Sequence, residues 1–589
     1  MRRLLILLLG VMLAAAFPLN ALAEDDDLAA AMREAKFMAS EGPNAAPDLI
    51  AEDSMPIAFD GGAGGIGGRH GNGRGTQVND PALDNIQFFP NANPQPQRPY
   101  EFSIQSETSA ASFGGTVVVG FNNSADQPVT LTPQNTVAFQ HRFLSGVGVS
   151  HDGGSSFREY SLPPIPGSPF TFGDPALAVD RQGNFYYASL GANAAGQSLI
   201  FVGKSTDGGD SFAPGVTVQL DPGSDKEWIA AGPDPTAFGR DNVYVTWTSF
   251  GTNNSVLKMG RSTDGGQTFS VSTIFAPVDD GASLSAFLQF SNPVVDRFTG
   301  KLYIPFLRGG NQDADFFQVL ESDDGGLTFH FLNFNVPGAP NAQTFPVVTP
   351  GTLSDCGTSG GFRVVLHSGP NLGPGRLGLP VYRNATRLVA QPSFAAVAGR
   401  LFIAYNASNS AIFGDPTSTS DIRLLFSPNG GGNWLSPLEV APATAADPQH
   451  VHPAITTDLV GARVSIGYLT QQADGKIRYD AASGIAVNVG SNLQLVAKQT
   501  KALSPASELA PTNNPLPSPP FAANTTTNYD RTIRPCYDLG EYTAATQSLG
   551  GAIFAFGDDR NTWTSPPQSP AAGTHTQPDV FAVRFIGND

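Results

Sequence analysis

Only two cysteines, Cys356 and Cys536, occur in 589 residues. That excludes a disulfide-dense scaffold, and with no His or second Cys at ligand spacing it excludes a cysteine-built zinc site. One disulfide or two separate thiols remain open. Charge is also scarce, at 14% of residues, and cations are scarcer, with 33 Lys and Arg against 51 Asp and Glu for a net charge of −18. This shortage argues against non-specific binding to nucleic acid or anionic membranes. It leaves divalent cations, neutral glycans or plain solubility outside the cell. Long apolar runs are missing beyond the start of the chain, so no membrane-spanning helix is expected.

The start itself reads as an export signal: Arg2 and Arg3, an apolar core from Leu4 to Ala16, and a small-x-small site at Ala21-Leu22-Ala23. Cleavage is expected after Ala23, by the general route because no polar residue precedes the paired arginines, with release into the periplasm or medium. Residues 24–100 are expected to form a short helix, residues 24–40, followed by a Gly/Pro-rich linker. The glycine run from Gly61 to Gly75 has no preceding strand and no closing GK[S/T], which argues against a phosphate loop.

What the chain has in abundance is turn residues, 65 Gly and 48 Pro. It also has a repeat, Ser-x-Asp-x-Gly-x-Ser/Thr-Phe, at residues 150–157, 205–212, 262–269 and 322–329, with a worn copy at 427–434 carrying Asn429 for the Asp. Each copy suits a tight turn. Asp152, Asp207, Asp264 or Asp324 can accept backbone N–H bonds, paired glycines can take positive φ, and the aromatic can pack beneath.

A second repeat interleaves with the first: a polar residue, a small apolar run, a turn and a β-rich strand. The clearest copy runs from Asp174-Pro175 to Phe185-Tyr186-Tyr187. Seven such units follow from Glu101 onward, each predicting a four-stranded antiparallel meander with the Asp turn between its third and fourth strands. Meanders repeated at this spacing predict an all-β propeller over 101–589, with seven blades favoured and six as the alternative. Long insertions are expected near 337–390 and 497–535, holding Cys356 and ending at Cys536.

The octapeptide turns resemble the Asp boxes, or bacterial neuraminidase repeats, of the sialidase superfamily, and the units resemble those of secreted sialidase-like proteins. The resemblance spans about residues 101–589 and is specific for fold more than for activity. It implies that the Asp-box residues Asp152, Asp207, Asp264, Asp324 and Asn429 are structural. A sialidase would carry an arginine triad, a Tyr–Glu nucleophile pair, an Asp acid/base and a Phe-Arg-Ile-Pro-like motif. That motif is absent from this chain. The resemblance therefore offers only Glu541, Tyr542, Arg534 and Asp174 as catalytic candidates, with Arg308 and Arg363 as further clamp residues and Tyr529 and Tyr537 as other tyrosines.

Aligning the first strands of the units places Glu107, Asp174, Glu227, Asn292, Gln391, His452 and Glu541 at one position, a candidate ring at the channel mouth. Packed together, four carboxylates would raise one another's pKa values or attract a cation such as Ca2+. The plainer expectation is that each caps its own strand or bonds its neighbour. His450 and His452 stand at alternate-face spacing and are not expected to share a metal. Asn122, Asn253, Asn384, Asn406 and Asn524 begin glycosylation triplets. The expected function is glycan binding or exo-acting glycoside hydrolysis at the channel mouth by a monomer that needs no cofactor. The alternative is a non-catalytic propeller that binds an extracellular protein partner.

Overall fold

The computed structural model describes residues 75–81, 105–126, 129–131, 137–250, 255–277, 287–309, 316–336, 339–342, 345–346, 392–408, 419–474, 476–507, 542–548, 551–565 and 573–586. The export signal, the expected helix and most of the linker lie outside these residues. So do Cys356, Cys536, Gln391, Glu541, Arg363, Arg534, Tyr529, Tyr537 and three of the triplet asparagines, Asn253, Asn384 and Asn524. The secondary structure is β throughout, with no α-helix among the described residues.

The strands repeat one pairing pattern. Ser224–Pro233, Asp241–Phe250, Ser255–Ser262 and Ser270–Phe275 follow one another, each antiparallel to the next. The same succession runs from Gln105–Phe113 to Arg158–Ser161 and from Ala176–Val179 to Val216–Leu220. It recurs from Val294–Val295 to His330–Phe331, from Ser393–Val397 to Leu438–Ala441 and from Gln449–Thr457 to Asn492–Ala502.

The final succession differs. Ala544–Ser548, Gly551–Ser565 and Gly573–Phe585 pair in order, and the fourth place is filled by Thr76–Gln77 from the other end of the chain. That strand falls inside the stretch read as linker, so the linker reading is wrong there. Val78 explains the docking, being buried against Val117, Ile553 and Val580. The Asn79 side chain donates to Asp579 at 2.8 Å and accepts the Val580 N–H at 2.9 Å. The expected insertions also begin later or carry structure. Asn492–Ala502 runs past residue 497, and Ala339–Ala342 pairs with Phe334–Val336.

First strands of successive sheets touch one another in chain order, from Gln105–Phe113 through Ala176–Val179, Ser224–Pro233, Val294–Val295, Ser393–Val397 and Gln449–Thr457 to Ala544–Ser548. The last also touches the first, so the inner strands close a ring. The apolar core lies between neighbouring sheets. Ile200 and Tyr186 of one meet Ile229 and Trp247 of the next, and Tyr244 and Leu257 meet Ile304 and Phe306. A sheet with two apolar faces needs a neighbour on each side, and ring closure supplies it without leaving an end.

The Asp-Gly-Gly turns have the expected local form. Asp264 Oδ1 accepts the N–H groups of Gln267 and Thr268 at 3.1 and 3.0 Å, and Oδ2 accepts the Thr268 hydroxyl at 2.6 Å. Both glycines of each copy have positive φ, as at Gly265 (71°) and Gly266 (82°). The turns also latch consecutive sheets. A glycine carbonyl of each full copy accepts from the preceding sheet: Gly153 from Arg584, Gly209 from Tyr160, Gly265 from Lys204 and Gly325 from Arg261.

Candidate functional site

The inner strands carry a shared distortion. Pairing passes from Ser106–Asn122 to Ser109–Gly120, from Asp225–Thr248 to Trp228–Thr246, and from Val451–Leu469 to Ala454–Gly467. Two residues on the inner strand oppose one on its partner, which is a β-bulge. The first bulged residue has left-handed φ at Glu107 (45°), Lys226 (50°) and His452 (49°), and Asp174 (53°) and Phe290 (60°) share that conformation. For non-glycine residues this conformation is strained by about 1–3 kcal/mol, and such strain gathers where side chains must be re-aimed.

The structure corrects the sequence alignment at two places, counting back two residues from the first paired position after the distortion. In the third sheet Trp228 gives Lys226, not Glu227. In the last sheet Ala544 gives Tyr542 where Glu541 was expected. In the fourth sheet Val294 gives Asn292, as the sequence alignment had it, although the left-handed residue there is Phe290. Alignment by carboxylate chemistry slipped by one residue at each corrected place, whereas alignment by strand pairing does not.

These residues form one buried network. The Lys226 ammonium lies 3.2 Å from Glu107 Oε2 and 3.6 Å from Asp174 Oδ1, all three side chains being at most 1% exposed. It also sits over the Tyr542 ring, 5.0 Å from the centroid. Asn122 ties the Glu107 carboxylate to the Asp174 backbone, donating to Glu107 Oε2 at 3.0 Å and accepting the Asp174 N–H at 2.7 Å. Asn122 is 3% exposed and Asn406 2%, so neither glycosylation triplet offers a surface acceptor. A lysine thus stands beside two of the carboxylates of the expected ring.

Glu227 differs from its neighbours. It is 2% exposed, and neither carboxylate oxygen has a hydrogen-bond partner. Burial first, and then the adjacent Asp174 carboxylate, hold its carboxyl well above the usual range. His452 is equally buried, and neither ring nitrogen has a partner. Burial lowers its pKa to about 4. His450 turns elsewhere, with Nδ1 3.0 Å from the Thr470 hydroxyl and Nε2 3.3 Å from the Pro442 carbonyl.

Beside this network is a cavity of about 210 Å³ to which every inner strand contributes: Thr108 and Ser109, Leu177, Trp228, Asn292, Ser393, His452, and Tyr542 with Thr543. Trp228 and Tyr542 form its aromatic wall, with ring centroids 4.8 Å apart at 55°. The Trp228 indole N–H has no partner. Neither Trp228 nor Lys226 was singled out from sequence, because the bulge that sets the direction of both appears only in the strand pairing.

The cavity lining contains no Asp, Glu, Lys or Arg among the described residues. Of the expected ring, Asn292 and His452 line the cavity, as does the catalytic candidate Tyr542, while Glu107, Asp174 and Glu227 do not. Arg308 lies opposite Leu288 and Phe316 and is not among the lining residues. Among the described residues, the group with metal-ligand spacing is Glu321, Asp323 and His330. Its two carboxylates already hold Lys301, at 2.6 and 2.8 Å. The arrangement at the ring can bind an aromatic-stacking, hydrogen-bonding ligand, but it sets no described carboxylate against that ligand.

No family pattern matches the chain, and no curated protein matches its sequence. Solved structures do resemble it. A protein of unknown function from Dyadobacter fermentans aligns over 72% of this chain and 98% of its own, at 12% identity and a TM-score of 0.35. The Hadza microbial sialidase Hz136 covers 67% of this chain and 66% of its own, at 14% identity and TM-score 0.37. The intramolecular trans-sialidase from Ruminococcus gnavus covers 85% and 97%, at 11% identity and TM-score 0.34. Likenesses this slight carry no argument about the chemistry of this chain.

Proposed function

We propose that this chain is an exported, monomeric seven-bladed β-propeller, four strands to a blade, that binds a carbohydrate in the mouth of its central channel. The observation that carries this reading is the cavity ringed by the inner strands, in which the Trp228–Tyr542 pair stands beside the unpartnered nitrogens of His452. An aromatic face takes the C–H face of a sugar ring, while flanking polar groups fix its hydroxyls. At about 210 Å³ the cavity is below the roughly 300–1,000 Å³ usual for drug-sized ligands. It suits one sugar residue. The reading is of binding more than hydrolysis, because the described carboxylates of the ring lie outside the lining, Glu107 and Asp174 against Lys226 and Glu227 buried by itself.

The test is calorimetric titration of the secreted chain against a glycan panel, together with hydrolysis of a fluorogenic sialoside. Binding that Trp228→Ala abolishes, without turnover, supports the reading. Turnover abolished by Glu541→Gln and Tyr542→Phe would replace it with a glycosidase. A second reading, a protein-binding propeller, has its own support in the exposed Phe238, Phe298, Leu459 and Val460 on turns between first and second strands. A blank glycan panel would favour it.

A further inference from the structure

We infer that the channel takes an uncharged, hydroxyl-rich ring, a neutral sugar residue, and rejects carboxylated sugars. This rests on the carbohydrate-binding reading above and narrows its ligand. The reason is electrostatic. A carboxylate brought into a cavity with no cation in its described lining would lose its hydration without gaining an opposite charge there. The nearest cation described at the ring, Lys226, already faces Glu107 and Asp174 and has no exposed side-chain surface.

The polar groups that do line the cavity suit hydroxyls, each of which both donates and accepts. Neutral His452 offers one donor and one acceptor, and the Trp228 indole offers a donor. Ser109 accepts the Leu177 N–H at 2.9 Å and Ser393 accepts the Ile455 N–H at 3.1 Å, which leaves each O–H to donate into the cavity or nearby.

The experiment titrates the secreted chain with methyl galactoside, methyl glucoside and methyl rhamnoside, and in parallel with glucuronate, galacturonate and N-acetylneuraminic acid at pH 7. Expected is binding of at least one neutral glycoside. Loss of the indole N–H in Trp228→Phe should weaken it about tenfold with an unchanged melting temperature. His452→Phe should act alike, and the indole variant decides the matter if that protein fails to fold. Tighter binding of an acidic sugar overturns the inference while leaving the channel as a carbohydrate site. Neutral binding indifferent to both substitutions also overturns it, because the sugar then sits elsewhere. If no sugar binds, the carbohydrate reading falls and this inference with it.

Discussion

Lys226 is the residue on which the inner ring depends electrically. Its ammonium lies against two buried carboxylates, so replacing it removes a described cation from beside two like charges. Lys226→Met is expected to destabilise the protein by about 3–5 kcal/mol, and adding Glu107→Gln should recover part of the loss. Urea unfolding of the single and double variants measures both effects. Glu227 should behave in the opposite way. Its folded pKa is raised, so it contributes most below the ordinary value of 4.5 and loses that contribution as pH rises toward the folded value. Glu227→Gln is therefore expected to stabilise the protein at pH 7 and to flatten the decline of stability above pH 4.5, both readable from melting curves over a pH series. His452 reverses the sign. With its folded pKa near 4 and an ordinary value of 6.5, it makes the protein lose stability as pH falls between those values. In the carbohydrate-binding reading, ligand affinity also falls as pH approaches 4, where the ring gains a second N–H and loses its acceptor.

At the scale of elements, the Asp-Gly-Gly turns act as acid-labile latches. Burial alone would raise the pKa values of Asp152, Asp264 and Asp324, but hydroxyl and backbone N–H donors within each turn lower all three to about 2. Folded values below the ordinary 3.8 mean that these turns stabilise the protein fully above that pH. The contribution disappears as pH drops from there toward 2. Asp264→Ala is expected to remove about 1–2 kcal/mol at pH 7 through the lost hydrogen bonds, and to reduce the acid sensitivity between pH 4 and 2. Chemical denaturation at several pH values checks both parts. The worn fifth copy retains the turn with a neutral side chain, since Asn429 Oδ1 still accepts the Asn433 N–H at 2.9 Å. It should show no such titration.

At the scale of the whole molecule, stability depends on the contact between the two ends of the chain. Thr76–Gln77 supplies the outer strand of the last sheet, and the Asp80 N–H reaches on to Glu159 of the first sheet at 2.5 Å. A chain lacking residues 76–80 uncovers Phe581 and Ala582 along an open edge and leaves Val117 and Ile553 without Val78. It should melt lower and expose hydrophobic surface, detected by dye binding, while Asn79→Ala should give a smaller loss of the same kind.

The sequence by itself determined the repeat. Asp, paired glycines and an aromatic at fixed spacing specify a turn through short-range hydrogen bonds and positive φ, and alternating apolar residues specify the strands that flank it. That local chemistry is why the all-β class and the succession of strands within each sheet were legible. It is also why the turns proved to be latches and carry none of the candidate ligand contacts. Three things were decided only by tertiary structure. The docking of Thr76–Gln77 brings together residues some five hundred positions apart. The register of the inner strands depends on bulges, which move a side chain to a new direction without changing the composition of the stretch. The conversion of an expected carboxylate ring into a Glu107–Lys226–Asp174 network follows from that register. Long-range pairing and a one-residue bulge leave no periodic mark in a sequence, and those two features position the cavity.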